Sequence, residues 1–164
     1  MELIKAYVPL CWFRHCPLEL PRSVSFFQKN LYYYLLIELF ILANITDPLD
    51  ALIEAILETG LTLMFVEILL IFRKASAGFI SAATSFLICE NIIATAGLPV
   101  IVWLTTTDDL LSYYILFGLM VWVFAVITYL IMRILLITPA LAFVLSIVYF
   151  SVTHGGAFML MLLI

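Results

Sequence analysis

Along the chain, long runs of apolar residues alternate with short polar or Pro-containing breaks. A membrane-spanning helix needs roughly 20 mostly apolar residues. Blocks of that length are expected at about residues 26–45, 49–72, 77–104, 110–136 and 140–164. Asn44 to Pro48, Arg73-Lys74, Thr105 to Asp109 and Thr138-Pro139 separate them. The runs are continuous rather than alternating, which excludes a β-barrel, since helices satisfy their own backbone in lipid. The expected fold is therefore all-α, a polytopic transmembrane helix bundle of about five spans. Ser23 is placed to cap the first helix, and Pro139 suits the first turn of the last, where a missing N–H goes unnoticed. The third block is long enough to tilt, or to bend at Pro99.

Two organisational units are expected: residues 1–25 as an N-terminal interfacial segment and 26–164 as the bundle. In the first, Tyr7, Val8, Leu10, Trp12 and Phe13 mix with Lys5, Arg14 and His15, a composition at home at the membrane surface. Glu2, Pro9 and the lack of a small-residue cleavage site argue against a cleaved signal peptide. Pro17 and Pro21 then break any helix. The last span is expected to end with the chain, leaving no soluble tail.

Composition agrees with this pattern. Hydrophobic residues make up 66% of the 164 residues and charged residues 11%, against roughly 25% charged in a soluble domain. Mean hydropathy is +1.26, too apolar to clothe a water-soluble globule. A net charge of −4 argues against nucleic acid, whose phosphates require clustered Lys and Arg. The lipid bilayer is the expected surrounding. Cys11, Cys16 and Cys89 are unpatterned and require no oxidising compartment.

The placement of charge sets an expected orientation. Lys5, Arg14, Arg22 and Lys29 precede or enter the first block, Arg73 and Lys74 follow the second, and Arg133 ends the fourth. Alternating crossings put all of these on one side, with Asp47, Asp50, Asp108 and Asp109 on the other. An excess of Lys and Arg marks the cytoplasmic face. The expected setting is a bacterial inner (cytoplasmic) membrane, N-terminus cytoplasmic and C-terminus periplasmic. Tyr32 to Tyr34 belong near the inner interface, Trp103, Tyr113 and Tyr114 near the outer loop. Four spans would place Asp47 and Asp50 beside Arg73, which favours five.

Ionisable residues inside spans are functional candidates because lipid penalises them, by roughly 2.5–3.5 kcal/mol at the helix centre. Glu38, Glu90 and His154 each fall near the middle of a block and form a candidate intramembrane polar cluster, able to share protons if their helices adjoin. The structural alternative, weighted more heavily, has each Glu protonated and bonded to a Ser, Thr or Asn, with Asn91, Ser85 and Thr95 types as partners for Glu90. Glu54 and Glu58, four apart on one face, form a candidate outer acidic mouth with Asp47 and Asp50, though acids also suit a helix start. Glu67 lies nearer the inside, within reach of Arg133 or Lys74.

Ala77, Ser81, Ser85 and Cys89 recur every four residues, with Gly78 and Ala82 beside them, while Ala83, Glu90, Ala94 and Gly97 share a second face. Both faces suit close helix contact, which makes the third block the candidate centre. Cys11, His15 and Cys16 have ligand chemistry but lack a fourth partner for zinc, so no metal is expected. Gly155 and Gly156 beside His154 permit a close approach of backbone or ligand. A haem would lack its second axial ligand, because His15 belongs at the surface. No phosphate loop, hydrolase triad or HExxH is present. No cofactor and no catalytic residue is expected, and the chain is read as not an enzyme.

RHCPLELPRSVSFF at 14–27, and the last two spans from Trp122 through Arg133 onward, resemble a group of short proteobacterial inner-membrane proteins without an assigned reaction. These are distantly similar to the Yip family of multi-span proteins. The resemblance implies a five-helix membrane bundle. In eukaryotes it would imply small GTPases and vesicle membranes as partners, but the long N-terminal region and Tyr-Gly-Pro signature are missing here, and no functional residue transfers. The leading expectation is a non-enzymatic accessory or interaction bundle with a membrane-protein partner, or a homo-oligomer. The alternative is a small proton- or cation-coupled transporter or channel using intramembrane carboxylates. A third is a lipid-handling protein with Trp12-Phe13 at the headgroups.

Overall fold

The computed structural model describes residues 2–107 and 109–163. Asp108, expected in the outer acidic loop, and Ile164 lie outside the described residues. The helices are α1 (Glu2–Tyr7), α2 (Val24–Leu42), α3 (Pro48–Arg73), α4 (Phe79–Thr107), α5 (Leu110–Leu135), α6 (Pro139–Phe150) and α7 (Gly156–Met161). Short 3₁₀ turns occupy Val8–Trp12, Pro17–Glu19 and Ser76–Gly78, and one π-helical turn, Ser151–Gly155, joins α6 to α7. No strand occurs among the described residues, so the fold is an all-α bundle.

Four helices are long and apolar enough to cross a membrane: Pro48–Arg73, Ser76–Thr107, Leu110–Leu135 and Pro139–Met161. They match the second to fifth expected blocks to within a few residues. Ser23 does accept a hydrogen bond from the Phe26 N–H, at 3.3 Å, and Pro139 does occupy the first turn of α6. α4 runs through Pro99 as one helix.

α2 is the element that departs from this uniform picture. It has the length of a span at 19 residues, but Gln28, Lys29, Asn30 and three successive tyrosines dilute its apolar character. It runs parallel to α4, with the Asn91 amide donating to the Asn30 carbonyl at 3.0 Å and Tyr33 meeting Thr95. Asn91 lies twelve residues into α4 and Asn30 six residues into α2. At 1.5 Å per residue, α2 therefore starts roughly 9 Å short of the level at which α4 begins.

The N-terminal segment fills that gap. It packs against the helices at that end of the bundle: Tyr7, Leu10 and Cys11 are fully buried in the common core. The Trp122 indole donates to the Cys11 carbonyl at 3.1 Å, and the Tyr129 hydroxyl to the His15 carbonyl at 2.9 Å. Tyr7 donates to the Pro21 carbonyl at 2.7 Å, tying the segment's two ends together. Trp12 and Phe13 stay half exposed, edge-on to Trp122 and Tyr129, and Ile4 is exposed to a similar degree. An apolar segment with bonded carbonyls is as well housed against helices as at an interface, and composition does not separate the two.

α4 is the centre, as its small-residue stripes imply. Every residue from Ser81 to Asn91 is buried. Thr84 and Ser85 turn their hydroxyls onto their own helix's carbonyls and Ser81 onto the Gly78 carbonyl of the preceding turn, so the polar stripe meets its neighbours as methylene surface. Gly78 lets Leu18 approach: a Cβ there would lie 2.7 Å from the Leu18 Cδ2.

Candidate functional site

Four helices bring their ionisable residues to one level, about midway along α3, α4 and the α6–α7 helix. From α3, Glu58 and Thr62 are one turn apart and face inward. The Glu58 carboxyl is 2% exposed; its Oε1 accepts from the Tyr34 hydroxyl of α2 at 2.7 Å and lies 3.1 Å from His154 Nδ1. His154 is 48% exposed, so this pair has one foot in the interior and one at the bundle's edge. The Nδ1 proton follows from its acceptor, since a carboxylate oxygen faces it.

Beside this pair lies a second. The Tyr149 hydroxyl of α6 donates to Glu90 Oε1 at 2.6 Å and also meets Thr62 Oγ1 at 3.3 Å. Tyr149 has one proton and gives it to Glu90, so Thr62 is the donor to the Tyr149 oxygen. Glu90 is 6% exposed, and its Oε2 is buried with no hydrogen-bond partner among the described residues. Tyr149 is clamped between Phe65 and Phe86, edge-on to both rings, which fixes its hydroxyl on Glu90.

The π-helical turn Ser151–Gly155 sits where the two pairs meet. An inserted residue shifts the helix phase by about 100°, and such turns recur at functional sites. The turn carries His154 toward Glu58, while Tyr149, two residues before it in α6, faces Glu90, and the His154 ring stacks on Phe150 at 5.5 Å. Gly155 and Gly156 adopt ordinary helical backbone. A Cβ at Gly156 would only touch Leu61 and one at Gly155 would meet nothing, so these glycines are not needed for close approach.

Of the residues expected in an intramembrane cluster, Glu90 and His154 are joined at this level. Glu38, half-buried one turn beyond Tyr34, shares the electrostatic surroundings of Glu58, His154 and Glu90 without a hydrogen bond to them. The acidic mouth divides. Glu58 belongs to the buried cluster rather than to an outer mouth, because its face of α3 turns toward Tyr34 and His154. Glu54 is buried one turn further out, and Asp50 lies in the helix's first turn. Glu90 pairs with Tyr149, not with the Ser, Thr or Asn types expected. Glu67 makes no ion pair with Arg133 or Lys74 among the described residues; Arg133 instead lies over the Tyr129 ring at 5.9 Å. Tyr34, Tyr149 and Thr62 were the members that sequence reasoning missed. A signal existed: Thr62 repeats the Glu54–Glu58 spacing by one more turn, toward the middle of α3.

Chemically, the arrangement holds three kinds of proton carrier, carboxyl, imidazole and phenol, within hydrogen-bond reach in pairs. No family model, curated protein or solved structure matches this chain, so its function is argued from this geometry alone.

Proposed function

We propose that this chain is a small proton-coupled transporter or channel of the bacterial inner membrane, working through Glu58, His154, Tyr149 and Glu90. The observation that carries this is Glu90 Oε2, a buried carboxyl oxygen left without a partner beside a phenol that bonds its twin. An ionised carboxylate there would hold a buried charge on one hydrogen bond, and a buried polar group lacking its bonds is costly. A proton resting on Oε2 removes that charge. His154, at the bundle's edge, offers the route by which the Glu58 pair exchanges protons with the surroundings.

A buried ion pair is weak support for stability, since well-packed apolar replacements are often neutral or better. Polar groups gathered at mid-span are therefore better explained by use than by folding. The accessory-bundle reading draws on the exposed apolar faces of α5 and α6, but lipid covers such faces equally well.

The orientation belongs to the same proposal. Residues 14–18 lie at the end of the bundle that carries Lys74 and Arg133, since His15 meets Tyr129 and Leu18 meets Gly78. Asp47, Asp50 and Asp109 gather at the other end. That asymmetry supports a cytoplasmic N-terminus and a periplasmic C-terminus.

Infrared titration of the chain in liposomes tests the proton-carrying role. A protonated-carboxyl band should appear beside the helical amide bands and respond when the pH outside the liposomes is stepped, and Glu90→Gln should remove part of it. A carboxyl band that does not respond to the step, or that Glu90→Gln leaves unchanged, would exclude Glu90 as a carrier.

A further inference from the structure

One face of α3 runs from the acidic end of the bundle into its centre. Asp50, Glu54, Glu58 and Thr62 stand on it at four-residue spacing, so each is a neighbour of the next. Burial deepens along it: Asp50 is half-buried, Glu54 is 7% exposed, Glu58 2% and Thr62 0%. Glu54 makes no hydrogen bond or ion pair among the described residues, although Asp50, Glu58 and His154 lie within its electrostatic reach. Unlike Glu90 Oε2, neither of its oxygens is fully sealed. No Lys or Arg compensates it: α2 beyond Lys29, α3 before Arg73, α4 and the α6–α7 helix carry none. On α2, Glu38 stands one turn beyond Tyr34 and adds a further acid near this level, while α7 carries no ionisable residue. A carboxyl so covered, with no bond to hold it, is costly as a fixed charge and has no structural task.

Inward of Thr62 the same face changes character. Val66 and Leu70 continue the four-residue spacing, and both are 0% exposed. Phe86 of α4 and Ile127, Leu130 and Ile131 of α5 are buried with them in one core. From Thr62 to Arg73 this layer runs for about 16 Å. The Ser81, Thr84 and Ser85 hydroxyls near it are already bonded to carbonyls. Protons need a chain of hydrogen-bonding groups or water, and close-packed hydrocarbon offers neither.

We infer that Glu54 relays protons between Asp50 at the acidic end and the Glu58–His154 pair, and that the apolar layer around Val66 and Leu70 closes the site to the opposite end. The inference rests on the proton-carrying role of that site. In each step a protonated Glu54 gives its proton to the Glu58 carboxylate, directly or through one water, and the Glu54 carboxylate takes another from water beside Asp50. His154 stands at the bundle's edge at mid-span, and the column connects that level to the end of α3. A site open to one end belongs to a carrier that rearranges to release its proton, not to an open channel.

Thiol labelling and infrared kinetics on the full chain in liposomes test this. Asp50→Cys, Glu54→Cys, Val66→Cys and Lys74→Cys are each treated with a charged, membrane-impermeant methanethiosulfonate, and mass spectrometry reads the labelled site. With reagent on both sides, Glu54→Cys should label within about tenfold of the Asp50→Cys rate, and Val66→Cys about a hundredfold more slowly. With reagent outside only, in vesicles with most chains inserted one way, the labelled fraction of Glu54→Cys should equal that of Asp50→Cys and complement that of Lys74→Cys. Equal rates at Glu54→Cys and Val66→Cys, or a Glu54→Cys fraction that follows Lys74→Cys, overturn the inference. Glu54→Gln breaks no bond and should fold with unchanged amide bands. After a pH step it should slow the response of the Glu90-dependent carboxyl band about a hundredfold. A Glu54→Gln response at the wild-type rate overturns the relay while the proton-carrying role stands. A wild-type band that ignores the step overturns both.

Discussion

Removing the Glu58 carboxylate is the perturbation whose consequences the structure specifies most fully. Glu58→Leu keeps the volume but strips two contacts from one oxygen, the Tyr34 hydroxyl at 2.7 Å and His154 Nδ1 at 3.1 Å. Tyr34 is 1% exposed, so its orphaned hydroxyl carries a desolvation penalty of about 1–3 kcal/mol. Losing one partner of a fully buried ion pair costs about 3–5 kcal/mol. His154 is 48% exposed, and its imidazole can reach other partners or shed its proton, so the lower part of that range applies. The two considerations overlap, and about 2–3 kcal/mol is expected. Glu58→Gln should cost only about 1 kcal/mol, because its amide oxygen still accepts from Tyr34. A double-mutant cycle with His154→Leu isolates the pair, and a coupling of about 1–2 kcal/mol is expected. Reversible unfolding in mixed micelles, followed by tryptophan fluorescence, reads it. Additivity to within about 0.3–0.5 kcal/mol would show that Glu58 and His154 do not act together and would refute the geometry.

Further outcomes follow from the N-terminal segment. Trp122→Phe removes the bond to the Cys11 carbonyl, worth about 1 kcal/mol, and should raise maleimide labelling of the buried Cys11 about fivefold. Burial pushes the Tyr7 phenol above its ordinary value, so the folded segment favours the neutral form. Its stabilisation should be complete below about pH 10 and fall as pH rises beyond that, with Tyr7→Phe flattening the alkaline loss; Trp12–Trp122 fluorescence reports it. Gly78→Ala meets only the flexible end of Leu18, so its unfolding midpoint should change little. Gly78→Leu has no such outlet and should cost about 1–3 kcal/mol by the same unfolding assay.

The sequence made α4's central place legible because small residues at four-residue spacing have one economical use in lipid, close contact with other helices. Span limits were legible because Pro48, Pro139 and Ser23 act locally, within a turn of where they stand. Glu58 was not legible as a cluster member. Depth along a helix can be counted from a sequence, but which way a face turns depends on the neighbour, here Tyr34 and His154. Tyrosines at 34 and 149 carry no mark that separates a buried donor from an interfacial belt. How residues 2–22 pack on the helices was not legible for a related reason: Trp, Tyr and basic residues suit an interface and a helix groove alike. The π-helical turn leaves no compositional trace, since Ser151 to Gly155 reads as ordinary helix with a weak end.

Proton flux through the purified chain in liposomes tests the central claim most directly. With a pH-sensitive dye inside and a potassium diffusion potential as drive, wild-type vesicles should acidify faster than protein-free vesicles. Glu90→Gln, which can still accept the Tyr149 proton at its amide oxygen, should fold with the same unfolding midpoint and abolish the difference. Undiminished flux in Glu90→Gln, or wild-type flux equal to that of bare lipid under both polarities and an opposing cation gradient, would contradict the account.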